Sequence, residues 1–190
     1  MSTSNNVTTT PDLPTGLATW TLDSTHSIAE FAVKHMVVAT AKGRFGAVDG
    51  TLQWDGQNFA TASVNTNIDV TTITTGDANR DGHLKSDDFF NAEQYPTATF
   101  RSSRVEGSGD EFKLIGDLTI RDVTKEVTLD IEFEGQVKDP YGLQRAGFTA
   151  QTAINRREFG LNWSAMLEAG GAVVADKVKI TIHAEFTRPA

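Results

Sequence analysis

The sequence predicts an all-β, antiparallel protein, and three observations carry that prediction. Apolar residues recur at every second position along most of the chain, turn-forming clusters separate these runs at hairpin spacing, and one short segment breaks the rhythm. The clearest run is 127–134, where Val127, Leu129, Ile131 and Phe133 alternate with Thr128, Asp130, Glu132 and Glu134. A second sets Val178, Ile180, Ile182, Ala184 and Phe186 against Lys179, Thr181, His183 and Glu185. A third sets Phe148, Ala150, Thr152 and Ile154 against Thr149, Gln151 and Ala153. Each reads as a strand with one dry and one wet face. Weaker runs cover 18–23, 27–38, 42–54, 60–70, 97–106 and 111–120. Turn chemistry falls between them, at Trp54-Asp55-Gly56-Gln57-Asn58, Glu106-Gly107-Ser108-Gly109-Asp110 and Lys138-Asp139-Pro140-Tyr141-Gly142. That makes roughly eight or nine short strands, the pattern of a sandwich or a barrel.

The exception is Thr75 to Ala92, TGDANRDGHLKSDDFFNA, which is polar and charged with Leu84, Phe89 and Phe90 set into it. Asp77 suits the cap of a helix running to about Lys85, and Ser86 the start of a second turn over Asp87–Phe90. Gly82 weakens the helix. A short helical excursion near 76–90 in an all-β chain serves either as a lid on one mouth or as a permanent plug.

The 190 residues suit one domain over 18–190, preceded by a Ser/Thr/Asn-rich lead-in, 1–17, that Pro11, Pro14 and Gly16 mark as disordered. A net charge of −8 argues against a nucleic-acid partner and against standing adsorption on anionic membranes. There is no cysteine, which removes disulfides, thiolate metal sites and cysteine nucleophiles together. The first residues, MSTSNNVTTTPDLPTG, lack the basic and apolar regions of a secretory signal, so the expected location is cytoplasmic. No apolar run reaches transmembrane length, so no stable membrane insertion is expected.

A closed barrel places every dry face inward and leaves no unpaired edge, and at about eight strands its interior is either filled by side chains or holds one small ligand. Period alone separates neither these cases nor a barrel from a sandwich. Large aromatics (Phe31, Phe100, Phe148, Phe186) beside Ala32 and Ala150 among the interior candidates are compatible with a shaped void.

The chain resembles the YceI-like family of polyisoprenoid-binding, lipocalin-like bacterial proteins. The likeness runs through Trp20-Thr21-Leu22-Asp23, His26-Ser27, Phe31-Ala32-Val33-Lys34-His35-Met36 and Gly43-Arg44-Phe45. It is strongest at Arg80-Asp81-Gly82-His83-Leu84-Lys85-Ser86-Asp87-Asp88-Phe89-Phe90. It continues through Tyr95-Pro96, Phe100-Arg101-Ser102, Gly116-Asp117-Leu118-Thr119-Ile120 and Val123-Thr124-Lys125, and ends at Asn155-Arg156-Arg157-Glu158-Phe159-Gly160-Leu161. The resemblance implies an extended eight-stranded antiparallel lipocalin-like barrel with a long apolar channel. It implies binding of a polyisoprenoid, an isoprenoid quinone or another long-chain lipid, with no chemistry on it and no required cofactor. Many members carry a signal peptide, and this chain departs from them.

The residues expected to line such a channel are Phe31, Val33, Phe45, Leu84, Phe89, Phe90, Phe100, Leu118, Leu129, Ile131, Phe148, Ile154, Trp163, Ile180 and Ile182. Taken singly each is ordinary core; the expectation concerns the set. Arg80 and His83, three apart on a helix, share a face that suits a ligand head group. The competing reading has Arg80 pair with Asp81, Asp87 or Asp88 and pin the excursion to the rim. His35 shares phase with Phe31 and Val33 and is expected inward. Asn155–Gly160 reads as a structural corner with one arginine buried against a carboxylate. The four histidines (His26, His35, His83, His183) show no helical i, i+4 pair, and no metal site is expected. No G-x-S-x-G or glycine-rich phosphate loop is present, so no catalytic residue is assigned. The alternative of an enzyme acting on a hydrophobic substrate would need His35 beside an inward carboxylate. A surface for another protein, or a homodimer, is left open.

Overall fold

Alternation dictates extended chain, but local side-chain oxygens interrupt it, so eleven strands build eight staves. The computed structural model describes residues 16–166 and 173–190; the expected lead-in therefore falls almost wholly outside the described residues. Strands β1 (Ala18–Leu22) and β2 (Ile28–His35) form the first stave, β3 (Ala39–Phe45) and β4 (Val48–Trp54) the second, β5 (Ser63–Asp69) and β6 (Ile73–Thr74) the third. The unbroken staves are β7 (Thr97–Gly107), β8 (Glu111–Ile120), β9 (Val123–Lys138), β10 (Leu143–Asn155) and β11 (Val174–Pro189). Each stave pairs antiparallel with its neighbours in chain order, and β11 closes the ring on both β1 (Thr21 opposite Thr187) and β2 (Ala29 opposite Ile182). A closed, eight-stave, up-and-down barrel results, which decides the barrel-or-sandwich alternative.

The breaks have a local cause. At 23–27 the Asp23 carboxylate accepts from Thr25 N at 3.0 Å. At 69–72 the Asp69 carboxylate caps a single tight turn, while Thr72 Oγ1 accepts from Gly46 N and Ala47 N at 3.0 and 3.1 Å. Side chains thus supplement the few backbone bonds that cross these breaks, such as Asp23 N to Glu185 O and Asp69 N to Ala47 O, in three adjacent staves at one height.

All connections at one end, here the mouth, are the β2–β3 hairpin, the excursion between β6 and β7, the β8–β9 turn and the corner after β10. The excursion contains helix α1 (Ala78–Lys85), capped by Asp77, whose carboxylate accepts from Arg80 N at 2.9 Å. A second turn follows from Ser86, whose carbonyl accepts from Phe89 N and Asn91 N. The expected acid partner of Arg80 is replaced by Thr75: Arg80 Nε donates to its Oγ1 at 2.7 Å and Nη2 to its carbonyl at 3.0 Å. Asp81 accepts from the same threonine. On the other flank Arg121 Nη1 donates to the carbonyls of Asp87 and Phe89.

The opposite end is a floor of aromatic rings. Trp54 stacks on Phe59 at 4.8 Å between centroids, Phe59 on Phe112 at 4.6 Å, and Phe133 and Phe148 meet them edge-on. Trp20 is fully buried beneath, its Nε1 donating to Trp54 O at 3.3 Å. Ala32 is a correction: it sits on the outer face between Lys42 and Lys179, and Ala29 is the small inward residue of that stave.

An ion-pair network ties the 23–27 break to the wall. Arg145 reaches Asp139 at 2.7 Å, Asp23 at 3.2 Å and also Glu185, and His26 Nδ1 lies 2.9 Å from Asp23. Asp23, His26 and Glu185 are spaced closely enough to hold a cation, but the guanidinium on both carboxylates already neutralises the charge a metal needs. The His26 hydrogen bond, with those from Thr25 and Arg145, holds the Asp23 pKa at about 2, and Asp23 raises that of His26. Asp23 therefore stabilises the fold at neutral pH, a contribution lost as pH falls from about 4 through about 2. His26 contributes fully below about pH 6.5, and its contribution drains as pH rises through its raised value. Thermal melts of wild type and His26→Ala are expected to differ more at pH 5.5 than at pH 8.5, by about 1–3 °C. An equal gap at both would rule this account out.

Candidate functional site

The inward faces do not fill the barrel. Two dry cavities of about 130 Å³ each lie end to end along its axis and share Ala29, Ile68, Leu118, Ile180 and Ile182. For scale, an engineered apolar cavity of about 150 Å³ stays dry and admits benzene. The floor-side cavity is lined by apolar side chains except Thr66 and Thr152, and the mouth-side cavity except Arg156; Glu30 borders it on β2, but its side chain is exposed and takes the outward phase opposite Arg44. The two adjoin at these five shared residues and are together called the tunnel, with the aromatic floor at one end and Leu84, Phe89 and Phe90 over the other.

Most residues expected inward do line it. Phe100, Leu129, Ile131 and Phe148 face the floor-side cavity; Phe31, Val33, Phe45, Leu84, Phe89, Phe90 and Ile154 the mouth-side one; Leu118, Ile180 and Ile182 both. Four expected residues lie outside the lining: His35, Arg80, His83 and Trp163. His35 closes the last pair of β2 before the hairpin, beyond the cavity, because the lining on that stave ends at Val33. Arg80 is exposed and spent on Thr75. His83 Nε2 lies 2.8 Å from Asp88 Oδ2, and its ring stands edge-on to Phe89 at 5.1 Å and Trp163 at 5.0 Å. Trp163 thus clamps the corner to the excursion instead of lining the tunnel.

Several lining residues were not anticipated. Val64, Thr66 and Ile68 follow the period-two phase of the weak run 60–70, a signal that was present; Phe59 comes from a connection, where periodicity says nothing. Arg156 carried no such signal. Its Nε donates to Ala175 O at 3.0 Å, Nη1 to Leu161 O and Trp163 O at 2.6 and 2.8 Å, and Nη2 to Val174 O and Asp176 Oδ1 at 3.3 and 3.2 Å. All five guanidinium N–H groups are used inside a nearly waterless setting, 3% exposed. Burial pulls its pKa down, with Asp176 opposing. Gly160, at φ +78°, makes the bend that brings Leu161 back under the guanidinium. The expected corner is real, but backbone carbonyls hold its arginine more than a carboxylate does.

A wall of antiparallel strands closed in chain order around an apolar space is a lipocalin-like barrel. The chain belongs to the YceI-like domain family, whose pattern it matches over residues 20–186. A UPF0312 protein of Staphylococcus aureus (strain USA300) is 38% identical over 172 residues, covering 90% of this chain and 98% of that protein. BcnA of Burkholderia cenocepacia superposes with a TM-score of 0.75 at 25% identity, over 86% of this chain and 98% of BcnA. A Campylobacter jejuni YCEI protein gives 0.71 at 28% identity, over 83% and 90%. A domain from Saccharophagus degradans, described as polyisoprenoid binding, shares the fold at 0.65 and 18% identity, over 91% and 99%. No helix among the described residues is long and apolar enough to cross a membrane.

Proposed function

We propose that the protein binds a long amphiphilic lipid, a polyisoprenoid or isoprenoid quinone, tail-first in the tunnel, and carries or sequesters it unchanged. The observation that carries this reading is the dry tunnel with an aromatic floor at one end, since such a space rewards a chain and refuses a charge. At about 25 cal/mol per Å² of apolar area, several isoprene units supply micromolar affinity or better after association costs. The polar end then rests at the mouth, the end that carries Arg80, His83 and His35. Of the titratable residues bordering the lining, Glu30 turns its side chain outward and Arg156 has no free donor, so the reading includes no reaction.

The test uses Trp20 and Trp54 at the floor. Titration with a menaquinone bearing four isoprene units is expected to quench tryptophan emission saturably at one equivalent, and solvent extracts of purified protein to contain a long-chain lipid by mass spectrometry. Neither quenching nor a copurifying lipid would leave the tunnel reading without support.

A further inference from the structure

At the mouth, the β2–β3 hairpin ends in Met36-Val37-Val38, which are 43%, 70% and 88% exposed. Met166, 75% exposed, lies beside this tip, because Met36 N donates to Val173 O and Val173 N to Ala165 O, each at 2.9 Å. Exposed apolar residues on a hairpin tip have no folding rationale, and the backbone sharpens the point. Met36 and Val37 have φ of +48° and +65°, ground usually held by Asn and Gly, and a β-branched residue there is strained. Stability alone selects against this pair of residues.

Behind the tip the outer wall is basic, in a chain whose net charge is −8. Lys42 of β3 and Lys179 of β11 flank Ala32 of β2 in one row across three strands, and Lys34 and Lys177 continue the band toward the tip. All four are exposed, and among the described residues none is in an ion pair. Of the acids on this face, Glu30 lies opposite Arg44 and Asp176 is held by Arg156 and Arg157. The acids of the α1 excursion come after β6, which borders β3 on the side away from β2. At the floor end the exposed Leu17, Val137 and Tyr141 have no such band; exposed Asp110, Glu111, Glu132 and Glu134 stand on β8, β9 and the turn before β8. Net charge averages over a surface that is in fact polarised.

We propose that the Met36–Val38 tip and the lysine band behind it dock this barrel on an anionic lipid bilayer, setting the tunnel mouth against the lipid. An apolar wedge ringed by lysines fits that partner on both counts: the side chains enter the interfacial region, and each basic residue near it raises partitioning roughly fivefold. The docking role rests on the tunnel being the binding site, since it explains why the wedge stands at the mouth end, beside the excursion that covers it.

The experiment is flotation of the full chain with phosphatidylcholine vesicles, with and without about one-third phosphatidylglycerol, beside the quinone titration in solution. Wild type is expected to float with the anionic vesicles and lose this at high salt. Met36→Asn/Val37→Gly relieves the strained turn, so its melting temperature rises while flotation falls at least about tenfold. Lys42→Glu/Lys179→Glu loses at least about tenfold on anionic vesicles alone. Both variants still take quinone. Wild type that fails to float, variants that float like wild type, or a tip-dependent dimer in sedimentation each overturn the proposal. Wild type that floats but takes no quinone retains the docking surface and sinks the tunnel reading.

Discussion

Arg156→Met is expected to lower the unfolding free energy by about 3–5 kcal/mol. Methionine fills much the same volume, so the loss reads the hydrogen bonds and not a void. Four carbonyls, those of Leu161, Trp163, Val174 and Ala175, lose their donor in a place water does not reach. Asp176→Asn is the control. Its carboxylate is 46% exposed, and the guanidinium keeps its carbonyl partners, so the cost is expected to stay under about 1 kcal/mol. Urea midpoints of the two variants give the answer: near-equal midpoints would mean that the corner is not built around this arginine.

Ala29→Phe is expected to divide the tunnel. Ala29 lines both cavities at their junction and is 3% exposed, so a ring there occupies the passage between them. A menaquinone with four isoprene units should lose at least about tenfold in affinity, because half of its buried tail is displaced, while a one-unit homologue held at the mouth loses little. Overpacking costs about 1–3 kcal/mol of stability, which a fold this extensively paired can bear. Parallel titrations with the two homologues check it; equal losses for both tails would show that the two cavities do not act as one channel.

Much of the wall was legible because a stave with one wet and one dry face must alternate, and Val127–Glu134 or Val178–Phe186 leave no other reading. The α1 cap at Asp77 and the turn at 138–142 are legible for the same local reason, hydrogen bonds within a few residues, and the turn at 106–110 through Gly107 and Gly109, which take φ of +99° and +86°. Long-range bonds were not. The partners of Arg156 come from Leu161 to Asp176, mostly as anonymous carbonyls, and the substitution of Thr75 for an acid beside Arg80 depends on where β6 ends. Ala32 reads as inward only because alanine suits either face; its neighbours Phe31 and Val33 carry the true phase. His35 shared that phase but lay one pair too far along. The lining set was readable as a set, whereas the void between its members was not, since emptiness is decided by how eight staves curve and no stave encodes it alone.

On the proposed function, the gaps at 23–27, 46–47 and 70–72 bear on how a bulky guest would enter. Ladder bonds are what keep adjoining strands from sliding or parting. At this level three consecutive staves keep only scattered backbone bonds, such as Asp23 N to Glu185 O and Asp69 N to Ala47 O, and add to them side-chain bonds from Asp23, Asp69 and Thr72. Two chambers of about 130 Å³ are narrow quarters for a polyprenyl tail. Local opening starts where ladder bonds are fewest, so if the barrel takes a lipid as proposed, this flank is where hydrogen exchange is expected to be fastest and the wall to widen first.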